Sequence, residues 1–330
     1  MLLPSRSALA ALAAVLATAF AAGCGDDDAG STAQPTAPPQ TAKAEDFPSV
    51  QGKTLGDLQS SMAEGPVLAP TVSVLDQGSN RYAFALFDRA RKQISGAQVA
   101  VYVANTDGSD LRGPFVARTE SMAVKPQFRS RQTASDPDAP KGIYVADLKL
   151  RRRGNVAILA LVRLDGRLVT TNAYGAKVGR RKGAGPPEVG ERPPAINTPT
   201  RADVSGDLSK IDTRIEPLPS MHRADFADVL GRKPVVLVFA TPQLCASRVC
   251  GPVVDVAYQA QSQAGDGVEF IHMEIYNENR VNKGYRPQVA RFRLPSEPWT
   301  FVIDRTGRVA ERFEGAYSVE ELQRAIAKVA

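Results

Sequence analysis

Val235-Val236-Leu237-Val238-Phe239-Ala240-Thr241-Pro242-Gln243-Leu244-Cys245 begins as a nearly unbroken apolar run and ends in a turn that carries a cysteine. An apolar run of this length without polar alternation reads as a strand buried on both faces, as in a sheet that helices cover from two sides. Just upstream, Phe226-Ala227-Asp228-Val229-Leu230 has the pattern of a short amphipathic helix closed by Gly231. Downstream, the pattern predicts a helix over about 253–263, a strand over 268–276 and a helical stretch near 287–292. A strand over 299–304, a turn at Thr306-Gly307, a strand over 308–313 and a last helix over 319–329 complete the series. Ser318, with Glu321 three residues on, forms a capping box for that helix.

The chemistry of this half lies in Cys245 and Cys250, separated by Ala246-Ser247-Arg248-Val249. In a regular helix two residues five apart are displaced by about 7.5 Å along the axis at ~1.5 Å per residue, beyond the reach of a disulfide. A bond between them therefore requires a loop or a distorted segment. Two registers are open. Cys250 can lie inside a helix that Pro252 kinks, or the loop can run to Cys250-Gly251 with the helix opening at Pro252, a favoured first-turn residue. In the second, both thiols sit near a helix N-terminus, where the dipole favours thiolate. In either, Cys245 is the expected nucleophile. Arg248 is placed to stabilise its thiolate.

The order of these motifs resembles the thioredoxin-like superfamily. The run 235–245 is similar to the strand that delivers that family's active-site cysteine. Glu297-Pro298-Trp299-Thr300-Phe301-Val302-Ile303-Asp304, followed by Arg305-Thr306-Gly307-Arg308-Val309, resembles its cis-proline segment and following hairpin. The closest likeness is to the membrane-anchored thiol-disulfide oxidoreductases of cytochrome maturation. The resemblance covers roughly residues 193–330 and implies an α/β thioredoxin fold there, Cys245 and Cys250 as the redox pair, a cis Pro298 packed against them whose neighbouring backbone holds the substrate, Glu297 just before it opposing the Cys245 thiolate, and no cofactor. The family carries Cys-x-x-Cys, whereas this chain has four residues between its cysteines. That departure leaves two further readings: a non-catalytic binding module with a structural disulfide, and a Cu(I) carrier resembling the SCO-type chaperones, which carry Cys-x-x-x-Cys and a distant histidine. The chain has 2 His, His222 and His272. His272 alternates with Val268 and Phe270 and reads as a satisfied sheet residue, and His222 as a surface residue, so no metal ligand is expected.

The N-terminal segment addresses the compartment. Arg6 precedes an Ala/Leu-rich run, Ala8 to Phe20, too short to span a bilayer, and residues 1–23 read as a signal peptide. Ala21-Ala22-Gly23-Cys24 resembles a bacterial lipobox, although the usual Leu three residues before the cysteine is Ala21, so Cys24 is the expected lipidation site. With 3 Cys in the chain, lipidation of one leaves a pair, as suits an oxidising compartment. The expected protein is held by lipid on the extracytoplasmic face of the cell membrane, with exported protein thiols or disulfides as partners.

Residues 24–66, rich at first in Asp, Ser, Thr, Pro and Gln, read as a flexible tether. Residues 67–178 hold short alternating runs such as Tyr82-Ala83-Phe84-Ala85-Leu86-Phe87, Gln98-Val99-Ala100-Val101-Tyr102-Val103 and Ile143-Tyr144-Val145-Ala146-Asp147-Leu148, separated by turns at Asn105-Thr106-Asp107-Gly108, Asp138-Ala139-Pro140 and Asp165-Gly166. This spacing predicts an all-β immunoglobulin-like sandwich without catalytic residues. Residues 179–192, rich in Gly, Pro and charge, read as a linker, so the expected chain is multidomain. Across the 330 residues, 43% are hydrophobic and 23% charged, which is globular composition. A net charge of +6 is too small to indicate nucleic acid, and the clusters Arg151-Arg152-Arg153 and Arg180-Arg181-Lys182 lack the interleaved aromatics that stack bases.

Overall fold

Alternation of inward and outward residues along the strands of 67–178 builds the larger of two sheets. The structure, a computed structural model, describes residues 42–179 and 183–330. Its strands are Ala63–Glu64 (β1), Val67–Pro70 (β2), Gly78–Phe87 (β3), Gln93–Ile94 (β4), Gln98–Asn105 (β5), Arg112–Ser121 (β6), Gly142–Leu150 (β7), Gly154–Leu164 (β8), Arg167–Thr170 (β9), Tyr174–Val178 (β10), Val235–Phe239 (β11), Glu269–Met273 (β12), Trp299–Ile303 (β13) and Val309–Glu314 (β14). Its α-helices are Leu55–Ser60 (α1), Arg131–Ser135 (α2), Phe226–Val229 (α3), Cys250–Ala264 (α4), Pro287–Arg291 (α5) and Val319–Ile326 (α6). The ten-stranded sheet runs β1-β9-β8-β5-β6-β7-β3-β2, with β10 also on β8 and β4 on β3. The four-stranded sheet runs β12-β11-β13-β14, with β11 and β12 parallel and the other pairs antiparallel.

The expected architecture, an immunoglobulin-like sandwich joined by a linker to an α/β thioredoxin fold, is corrected here. The described residues are mainly β, fall in one compact unit, and form one sheet of ten strands and one of four. Strand β6 explains the first departure. Its N-terminal half pairs with β5 and its C-terminal half with β7, changing neighbour at Ala117, so what would be two facing sheets is one continuous hydrogen-bonded sheet. The two halves still share a core: Tyr82, Phe84 and Leu86 of β3 meet Val99, Val101 and Val103 of β5.

The second departure lies in the cores beside the four-stranded sheet. One face of β11 (Val235, Leu237, Phe239) packs with Phe226, Phe292 and Phe301. The other face (Val236, Val238) packs under α4 and α6 with Val254, Leu322 and Ile326, in a cluster that also contains Ala83, Ile143 and Val145 from β3 and β7. The smaller sheet thus completes its core with side chains of the larger one and is not a separate α/β domain. Polar contacts reinforce the joint. The Glu314 carboxylate accepts the backbone N–H groups of Ser73 at 2.8 Å and Val74 at 2.9 Å. Arg81 donates to Glu321 at 2.6 Å and the Ser318 hydroxyl to Glu120 at 2.6 Å, bridging β3 and β6 to the start of α6. Gly315, at φ 73°, lies so close to Thr71 that a Cβ there would collide with its carbonyl oxygen.

Two expected connectors are also structured. Within 42–66, Phe47, Leu55 and Leu58 are buried against Ala100, Tyr102, Leu159 and Leu161, the outward residues of β5 and β8, and Thr54 with Asp57 caps α1. Those few apolar residues suffice because they cover a face that would otherwise be exposed. Within 183–192, Gly190 N–H donates to Val309 O and Val309 N–H to Glu191 O, so the segment shields the outer edge of β14.

Candidate functional site

Strand β11 ends at Phe239, and the chain passes through Ala240 and a turn from Thr241 to Leu244 before reaching Cys245. Contacts from both sides hold this loop. Gln243 N–H donates to Thr213 Oγ1 at 3.2 Å, and Gln132 Nε2 of α2 donates to Pro242 O at 2.8 Å. Cys245 and Cys250 form a disulfide with their Cα atoms 6.0 Å apart. Cys250 is the first residue of α4, two ahead of Pro252, and the required departure from regular helix comes at Arg248, whose φ of 58° is left-handed. The two sulfurs differ in access: Cys245 is half-buried with its Sγ 3.2 Å from Ser247 Oγ, whereas Cys250 is fully buried in the core under α4.

Arg248, expected beside the thiolate, turns its guanidinium to Asp136 at 3.3 Å and Asp138 at 3.1 Å, across from the disulfide loop. Glu297 takes the place beside the sulfurs. The Glu297–Pro298 peptide is cis, and the Glu297 carboxylate, Cys245 Sγ and Cys250 Sγ offer atoms that all lie within 4.8 Å of one another. Burial, with a smaller contribution from the negative charge of Glu274, pushes the Glu297 carboxyl up to about 7, and a hydrogen bond with Tyr276 acts in the opposite direction. Its Oε2 is buried without a hydrogen-bond partner. Pro298 immediately precedes β13, and its carbonyl accepts Gly315 N–H at 2.9 Å. A cleft of about 780 Å³ opens beside these groups, walled by Ser247, Arg248 and Glu297 on one side and Val72, Phe87 and Tyr174 on the other.

No protein-family model matches the chain, and no curated protein matches it. Among solved structures, the filamin domain of Lin-41 aligns over 36% of this chain and 99% of its own length, with 13% identity and a TM-score of 0.20. A likeness that low carries no reading of fold or function. No helix among the described residues is long and apolar enough to cross a membrane, and Cys24, the expected lipidation site, lies outside the described residues along with residues 1–23.

The two histidines form a second cluster. His222, expected at the surface, is buried, and its ring lies 5.5 Å from that of His272. Both rings flank Asp212, also buried: His222 Nε2 is 3.2 Å from Asp212 Oδ2 and His272 Nδ1 is 3.4 Å from Asp212 Oδ1. Burial opposes a charge on His272, yet Asp212 raises its pKa to about 9. Neither histidine joins the cysteine pair, whose third neighbour is the Glu297 carboxylate. Nothing in the periodicity marked Asp212, which lies in a stretch without regular alternation.

Proposed function

We propose that the protein exchanges disulfides with thiols of exported proteins through Cys245 and Cys250, held at the outer face of the membrane by a lipid on Cys24. The observation that carries this reading is the unequal access of the two sulfurs beside the half-buried Glu297 carboxyl, which burial pushes up to about 7. In the oxidised protein, a substrate thiolate entering the cleft attacks Cys245 Sγ, forming a mixed disulfide and breaking the Cys245–Cys250 bond. The bonding pair leaves on Cys250 as a thiolate, and the protonated Glu297 carboxyl transfers its proton to that sulfur, becoming a carboxylate. A second substrate thiolate then attacks the substrate sulfur of the mixed disulfide and releases Cys245 as a thiolate. Two substrate thiols are thereby oxidised to a disulfide as the protein's disulfide is reduced. Run backwards, the same steps reduce a substrate disulfide.

The roles of the two cysteines give the test. In Cys250→Ser, Cys245 has no resolving partner, so the protein should accumulate mixed disulfides with exported proteins that reductant releases. Cys245→Ser should trap none. If neither variant traps a partner under conditions where both remain folded, the exchange reading fails and the disulfide is structural.

A further inference from the structure

The Asp212–His222–His272 cluster lies outside the proposed exchange chemistry, and an ion pair accounts for only part of its arrangement. His272 Nε2 faces the Ala240 carbonyl at 3.0 Å, an acceptor only, so this nitrogen carries a proton and Nδ1 is the atom turned to Asp212. A backbone carbonyl that accepts the far N–H of an imidazole is the usual support for a histidine whose other nitrogen binds a metal. The carboxylate is fixed in the same manner: Asp212 Oδ1 accepts Arg214 N–H at 2.8 Å and Oδ2 accepts Leu218 N–H at 3.0 Å. The buried ring nitrogen turned to the carboxylate, His272 Nδ1, lacks a hydrogen-bond partner. Burying a polar nitrogen in that state costs free energy unless something else engages it.

We infer that Asp212, His222 and His272 form a binding site for one divalent first-row metal ion, with Zn²⁺ the best chemical fit. The donor set is two imidazoles and one carboxylate, and the three residues offer ligand atoms that all lie within 4.8 Å of one another. His222 Nε2 lies 3.2 Å from Asp212 Oδ2 and His272 Nδ1 lies 3.4 Å from Asp212 Oδ1, so both imidazoles face the carboxylate, and Zn²⁺ takes imidazole nitrogen and carboxylate oxygen at about 2.0–2.2 Å. Borderline nitrogen and oxygen donors suit Zn²⁺ better than Cu(I), which prefers thiolate. Glu274, just past the end of β12 and bonded through Oε1 to Thr213, adds a second negative charge that favours a dication, and Arg286 acts on it in the opposite sense. A surface cavity of about 670 Å³, lined by Thr200, Ser205, Ser220 and His222, adjoins the site at His222.

The test uses the full chain with Cys245→Ser and Cys250→Ser, which removes thiolates as competing ligands. Titration with Zn²⁺ followed by calorimetry should give one ion per chain. Co²⁺ should give the intense visible absorption of a four-coordinate site. His222→Gln in the same background, confirmed as folded by circular dichroism, should weaken binding at least about 100-fold. Absence of stoichiometric binding, or affinity unchanged in folded His222→Gln, overturns the inference.

Discussion

Replacing Glu297 by Gln removes one negative charge from beside the sulfurs at nearly constant volume. Because the carboxylate and both sulfurs offer atoms within 4.8 Å of one another, an ionised Glu297 raises the cost of forming a thiolate there. Two unit charges at that separation repel by about 0.9 kcal/mol in water and about 3.5 kcal/mol at an effective dielectric constant of ~20. Glu297 is only half-buried, which screens the interaction toward the lower end, at about 1.4 kcal/mol or roughly one unit of thiol pKa. With its carboxyl pushed up to about 7, Glu297 is neutral below that pH and repulsive above it. The alkylation rate of Cys245 in reduced protein, followed from pH 5 to 10, should therefore rise in two steps in the unaltered chain, since the carboxyl and thiol titrate as a pair. Glu297→Gln should show a single step displaced to lower pH by about one unit. Superimposable profiles would refute the placement of a titrating carboxyl beside the sulfurs.

Leu322 of α6 is fully buried in the core that the two sheets share, so Leu322→Ala should cost about 2–5 kcal/mol. Denaturant titration read by fluorescence and circular dichroism should show both sheets lost in one transition, whereas separate transitions would mean that the shared core does not unite them. Cys24→Ala should move the protein from the membrane to the soluble fraction on cell fractionation, and unchanged membrane association would refute the anchor.

The run 235–239 was legible because burial on both faces removes polar alternation, and α6 because Ser318 and Glu321 bond reciprocally as their spacing requires. Among the strands missed, the most consequential was β6, which begins Arg112-Gly113-Pro114 and carries Arg118 and Glu120 at its far end. Its glycine, proline and charges hide it from any test of apolar alternation, yet it is the strand that unites the larger sheet. Its charges are explained by partners distant in the chain, since Arg118 pairs with Glu321 and Glu120 accepts from Ser318. The same holds at the sites. Cys245, Cys250 and Pro298 stand out as motifs, but Arg248 was assigned to its sequence neighbour when its partners lie in the loop after α2. His222 is buried and paired with Asp212, a contact that no local pattern encodes.

The reduction potential of the Cys245–Cys250 pair, obtained by equilibrating the full chain in thiol–disulfide buffers and counting free thiols, tests the central claim most directly. Exchange with exported proteins requires a potential in the range of known exchange proteins, about −120 to −270 mV. A value below about −300 mV would place the pair among structural disulfides and contradict the account.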